Sequence, residues 1–169
     1  MVCADFGANV GGFTDCLLQR KAEKVYAVDT GYGELAWTLR NDPRVVVMER
    51  TNALHCEPPE LVNLVTIDMA WTPQVLAVPA AGKWLAPGGR IISLLKTHYE
   101  RTKLPNAPRA AKGRCKRLAN LSPEQAVDVC VHVCQQLALH GYRVANVIPS
   151  PIQGKGGGQE YLMLVLPER

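Results

Sequence analysis

Apolar and polar positions follow two rhythms along the chain, short continuous apolar runs and longer amphipathic stretches. Val2–Phe6, Lys24–Asp29, Arg44–Glu49, Leu61–Asp68 and Arg90–Lys96 have the length and character of buried strands. Between them, Phe13–Arg20, Gly33–Asn41 and Thr72–Leu85 read as helices. The second of these stops before Pro43 and the third before Pro87-Gly88-Gly89. Ser122 is a good N-cap, with Glu124 and Gln125 in the first turn, and it opens a helix to about His140. Arg143–Ile148 and Glu160–Leu166 are two further strands, joined without a helix by Pro149–Gly158, so they are expected to lie antiparallel. Strands and helices taking turns build βαβ units. The fold class is therefore α/β, a doubly wound, mostly parallel seven-stranded sheet with an antiparallel last strand.

A length of 169 residues makes this one domain, and 47% hydrophobic against 20% charged residues is enough for a packed core. No apolar run reaches 18 residues, which argues against a membrane span. Asp5 interrupts the first apolar stretch and no basic region precedes it, so the start does not read as a signal peptide. The six cysteines (3, 16, 56, 115, 130 and 134) show no CxxC spacing and read as reduced thiols of a cytoplasmic protein. Cys130 and Cys134 lie one helical turn apart, but buried thiols fit them better than a metal site, and no metal is expected.

Charge is uneven. The net charge is +4, yet Lys96 to Arg117 holds eight Lys and Arg against the single acid Glu100. This stretch carries +7 and the rest of the chain −3, which points to a polyanion binding at one place. A solvated basic loop is the plainer reading. Residues 97–121 are rich in Pro, Lys and Arg without a period and read as a mobile insertion.

Ligands of open α/β sheets bind at the carboxyl ends of the strands. The first strand runs into Asp5-Phe6-Gly7-Ala8-Asn9-Val10-Gly11-Gly12-Phe13-Thr14. These glycines let a ligand approach the backbone, and the helix that follows offers free N–H groups to an anion. Asn9 replaces the second glycine of GxGxxG, and there is no GxxxxGK[ST], so a pyrophosphate is not the expected guest. Asp29 ends the second strand, 22 residues beyond Gly7, where a carboxylate accepts hydrogen bonds from ribose hydroxyls. S-adenosyl-L-methionine fits this pair of features. Small residues needed only for packing would also explain the turn.

The segments DFGANVGGFTDCLLQ, VYAVDTGYGELAWTLRNDPRVVVMERTNA, VTIDMAW, LLK and PSPIQGKGGGQEYL resemble the TlyA-type (hemolysin A) branch of FtsJ-like RNA methyltransferases. The likeness covers residues 3–96 and 149–164. It implies a Rossmann-like class I methyltransferase domain, S-adenosyl-L-methionine as methyl donor, and 2′-O-ribose methylation of RNA, with ribosomal RNA or a ribosomal subunit as the expected partner, in the cytoplasm. The family's Lys-Asp-Lys-Glu set maps its Asp onto Asp68, its second Lys onto Lys96 and its Glu onto Glu160. Its first Lys and its small N-terminal RNA-binding domain fall before the first strand, upstream of Met1, so residues 1–169 resemble a shortened form. Two departures lie on the substrate side: Lys96-Thr97-His98-Tyr99-Glu100 stands for the usual Lys-Pro-Gln-Phe-Glu, and Met69-Ala70-Trp71 for Val-Ser-Phe.

The resemblance implies cofactor contacts from Asp5, Gly7, Asn9, Gly11, Gly12 and Phe13 around the methionine part, with Asp68 beside them. Asp29 would take the ribose and Asn52 the adenine edge. Lys96 would be the base, and Asp68 and Glu160 would position it and the ribose. RNA contacts would come from Arg101, Lys103, Arg109, Lys112, Arg114, Lys116 and Arg117. By themselves, Lys96 also reads as a solvated lysine, Asp68 as a helix N-cap and Glu160 as an edge-strand charge. Without the upstream Lys, weak transfer is expected, which leaves open an inactive module that binds the cofactor or RNA. A small-molecule methyltransferase is disfavoured by the +7 segment.

Overall fold

The computed structural model describes residues 1–101, 121–152 and 158–168. Seven strands among them form one sheet: β1 (Val2–Phe6), β2 (Lys24–Val28), β3 (Val45–Met48), β4 (Val62–Ile67), β5 (Leu85–Leu95), β6 (Tyr142–Pro149) and β7 (Tyr161–Pro167). Their spatial order is β3-β2-β1-β4-β5-β7-β6. The pairs from β3 to β5 are parallel, and β7 runs antiparallel to both of its neighbours. The order reverses between β1 and β4, which makes that boundary the topological switch point where α/β sheets bind ligands.

Alternation along the strands sorts side chains onto two faces. Cys3, Val25, Ala27 and Leu64 pack with Leu17 and Leu18 of α1 (Gly12–Gln19) and with Leu39 of α2 (Trp37–Arg40). Ala4, Phe6, Val65, Ile67, Ile91 and Met163 face the other way. They meet α3 (Gln74–Gly82) and α5 (Pro123–Leu139) through Ala77, Val78, Val133 and Leu137. Trp84 anchors this second core, fully buried, with Phe6 and Tyr26 packed edge-on at 5.2 and 6.0 Å between ring centroids.

Several boundaries differ from the sequence expectation. The helix expected over 33–41 shrinks to α2, because Gly33 adopts a left-handed φ of 77° and donates its N–H to Glu49 Oε1. The helix expected over 72–85 starts later, at Gln74, and ends at Gly82. β5 starts earlier than expected, at Leu85, because Leu85 pairs with Val62 ahead of an irregularity that Gly88 accommodates at φ 80°. Residues 97–101 of the expected insertion form a short helix, α4 (Thr97–Arg101); residues 102–120 lie outside the described part. α5 follows expectation, with Ser122 and Gln125 closing a reciprocal capping box.

Candidate active site at the switch point

The turn after β1 is fastened to β2 by the N–H groups of Gly7 and Ala8, which both donate to the Val28 carbonyl at 2.9 and 3.2 Å. Gly7 sits at φ 82°, and a Cβ there would collide with the backbone carbonyl of Asp68, so glycine is what lets β1 and β4 end side by side. Asn9, also left-handed at φ 47°, donates its N–H to Asp29 Oδ2 at 2.8 Å. Asp29 Oδ1 accepts from Gly31 N at 2.7 Å. Gly11 is the N-cap of α1 and supplies no side-chain acceptor, and nothing lies within 4 Å of where a Cβ of Gly12 would stand. The start of α1 thus faces open space at Gly12, with no side-chain cap from Gly11.

Asp5 points the other way. It is 1% exposed, Thr14 Oγ1 donates to its Oδ2 at 2.7 Å, and Thr66 Oγ1 donates to its Oδ1 at 2.9 Å. Burial pushes its carboxyl up to about 6, against the pull of these hydroxyls and the Thr14 N–H. Asp5 was expected among the cofactor contacts; its carboxylate is instead buried away from the open side of the turn, and it braces the turn and the end of β4 from behind.

Asp68 follows β4 and donates its N–H to the Phe6 carbonyl at 2.9 Å, again on the β1 side. Lys96 follows β5, and its Nζ forms an ion pair with Asp68 Oδ1, which accepts no other hydrogen bond. Glu160, just before β7 and 8% exposed, completes the group. Burial raises its carboxyl above the usual range. The nearby Lys96 charge opposes that rise and the Asp68 charge adds to it, so all three residues share one electrostatic environment. Three strands that are distant in sequence therefore deliver Asp68, Lys96 and Glu160 to one end of the sheet, beside the glycine turn.

The sequence model of FtsJ-like methyltransferases matches residues 1–165. The chain belongs to the FtsJ-like methyltransferase family. It is 35% identical over 164 residues to the Mycobacterium tuberculosis 16S/23S rRNA (cytidine-2′-O)-methyltransferase TlyA, covering 95% of this chain and 58% of that protein. Brachyspira hyodysenteriae Hemolysin A is 32% identical over 95% of this chain and 65% of its own length. Among solved structures, a candidate hemolysin from Streptococcus thermophilus superposes with a TM-score of 0.86 at 32% identity, covering 99% of this chain and 59% of that one. A Burkholderia thailandensis N-methyltransferase solved with S-adenosylhomocysteine shares the fold at a TM-score of 0.67 and 15% identity, over 99% of this chain and 71% of that one. The chain thus spans little more than half the length of its TlyA relative.

Within this FtsJ-like site, Gly7, Asn9, Gly11 and Gly12 belong to one turn that is tied to Asp29, with the half-buried Phe13 in the first turn of α1. Asn52 Oδ1 accepts from Leu54 N at 3.0 Å, closing its own turn. Arg101 is half-buried in α4, whereas Lys103, Arg109, Lys112, Arg114, Lys116 and Arg117 lie outside the described residues. Among the described residues, no helix is long and apolar enough to cross a membrane. None of their His, Cys, Asp and Glu side chains form a group of three that could hold a metal ion. Trp71, 68% exposed at φ 64°, contacts the Tyr99 ring at 4.5 Å, so the two departures from the family pattern touch. Sequence reasoning missed the roles of Thr14, Thr66, Gln74 and Ser93. For Thr66 and Ser93 the available signal was a polar residue inside an apolar strand run; Thr14 and Gln74, at helix starts, carried none.

Proposed function

We propose that residues 1–169 carry the cofactor pocket and catalytic side chains of an S-adenosyl-L-methionine-dependent RNA ribose 2′-O-methyltransferase acting on ribosomal RNA. The observation that carries this reading is the meeting of Asp68, Lys96 and Glu160 next to the glycine turn. The cradle suits the methyl donor: the first N–H groups of α1, at Gly12 and Phe13, fit its carboxylate, the open side of Gly12 leaves room for it, and Asp29 fits ribose hydroxyls. The bound donor supplies a methyl group made electrophilic by sulfonium sulfur.

With the donor bound, Lys96 would accept the proton of the ribose 2′-hydroxyl as that oxygen takes the methyl group, whose bonding pair to sulfur would stay on sulfur. Asp68 holds Lys96 in place, and Glu160 orients the ribose from the β7 side. The +7 stretch that starts at Lys96 would gather the RNA backbone. The name of the Mycobacterium relative makes ribosomal cytidine the first substrate to try.

The test is transfer of labelled methyl to ribosomal RNA and subunits, with 2′-O sites located by resistance to alkaline cleavage. Lys96→Ala is expected to lower transfer at least about 100-fold while cofactor affinity changes less than about twofold. Transfer that survives this change would overturn the assignment of Lys96. Tight cofactor binding without transfer by the parent chain would support a binding module instead.

A further inference from the structure

We propose that Glu100 is a positioning residue for methyl transfer: by closing the start of α3 it holds the loop bearing Asp68 against the loop bearing Lys96. The inference rests on the transfer reading above. Asp68 opens the segment 68–73 that leads into α3, and Lys96 opens the turn that becomes α4. Nothing local caps α3, since its N-cap is Pro73, which has no side-chain acceptor. The missing acceptor arrives from α4, where Glu100 Oε1 accepts the N–H of Gln74 at 2.7 Å. Glu100 is itself fixed to Lys96, because the N–H groups of Tyr99 and Glu100 donate to the Lys96 carbonyl at 2.9 and 3.3 Å.

The Gln74 side chain doubles the link. Its Oε1 accepts from Ser93 Oγ at 2.6 Å and its Nε2 donates to the Leu94 carbonyl at 3.2 Å, so α3 is bonded to β5 just ahead of Lys96. Glu100, Gln74 and Ser93 are all buried, where such bonds are strong and their loss is felt. The Trp71–Tyr99 ring contact spans the same two segments on the exposed side. The Asp68–Lys96 pair therefore sits inside a frame closed behind it by Glu100 and Gln74. Capping α3 from 26 residues away, rather than at position 73, makes the start of α3 and the Lys96 turn one unit.

Glu100→Ala, Glu100→Gln and the parent chain are compared by methyl transfer, by calorimetric affinity and stoichiometry for S-adenosyl-L-methionine, and by the ammonium signal of Lys96 in nitrogen-15 NMR. Asp68→Asn identifies the signal that depends on the ion pair. Glu100→Ala is expected to lower kcat about 10- to 100-fold, with cofactor affinity and stoichiometry unchanged within about twofold, and to broaden the Lys96 signal. Glu100→Gln keeps an acceptor for Gln74 and is expected to restore transfer to within about threefold. A merely structural role would instead lower the binding stoichiometry and leave the Lys96 signal of the folded fraction sharp.

If Glu100→Ala does not fold, Glu100→Asp, which withdraws the carboxylate by one methylene, is expected to show the same two losses in weaker form. Parent-like kcat and a sharp Lys96 signal in the folded variants would overturn the proposal. If the parent chain itself transfers no methyl, the transfer reading fails, and the Lys96 signal alone decides whether Glu100 holds the pair.

Discussion

Asp5 carries a carboxyl pushed up to about 6 because burial penalises its charge more than Thr14 and Thr66 offset that penalty. Its unfolded value is near 3.8, so the folded state binds the proton more tightly. The stabilising effect is full below about pH 4 and is lost as pH rises through about 6, a change of roughly 2–3 kcal/mol for a shift of this size. Asp5→Asn removes the titration while the threonine hydroxyls can rotate to meet the amide. Urea denaturation at pH 4.5 and 7.5 should therefore show a smaller loss of stability on raising the pH for the variant than for the parent. An equal loss in both would mean that Asp5 is not the group responsible. The sequence made Asp5 legible as an acidic residue ending a strand, but not its orientation, because both threonines that claim it lie on other elements. Gly7 was legible as a place that needs glycine, but what approaches it is the Asp68 backbone carbonyl rather than a ligand.

Elements whose signal is local were read well. The capping box of α5 needs only Ser122 and Gln125, and Ser122→Ala is expected to cost about 1 kcal/mol, read as a lower midpoint in urea with an unchanged slope. The largely apolar strands β1, β2 and β4 were equally plain, because burial on both faces leaves few polar residues in each run. Boundaries set by a partner were not. The first half of β5, Leu85–Gly89, has no strand pattern and is extended because Leu85 pairs with Val62. α2 is short because Glu49 on the far side of β3 captures the Gly33 N–H. The candidate site divides in the same way. Its glycines, Asp29, Asp68, Lys96 and Glu160 announce themselves by type and order, whereas Glu100 shows no role until the fold brings Gln74 to it.

Across the whole molecule, β7 occupies the place that matters most for closure. It lies between β5 and β6, and Met163 and Val165 on it are fully buried in the larger core. Met163→Ala is expected to destabilise the protein by about 2–5 kcal/mol, measured by urea unfolding, with the circular dichroism of the remaining folded protein unchanged. A cost below about 1 kcal/mol would show that this part of the sheet is packed more loosely than described. The strand also begins immediately after Glu160, and its first residue, Tyr161, pairs with Leu95, the neighbour of Lys96. On the proposed activity, a slip of β7 by one pair along β5 would carry Glu160 away from Lys96, so the registry of two antiparallel strands and the chemistry at their end stand or fall together.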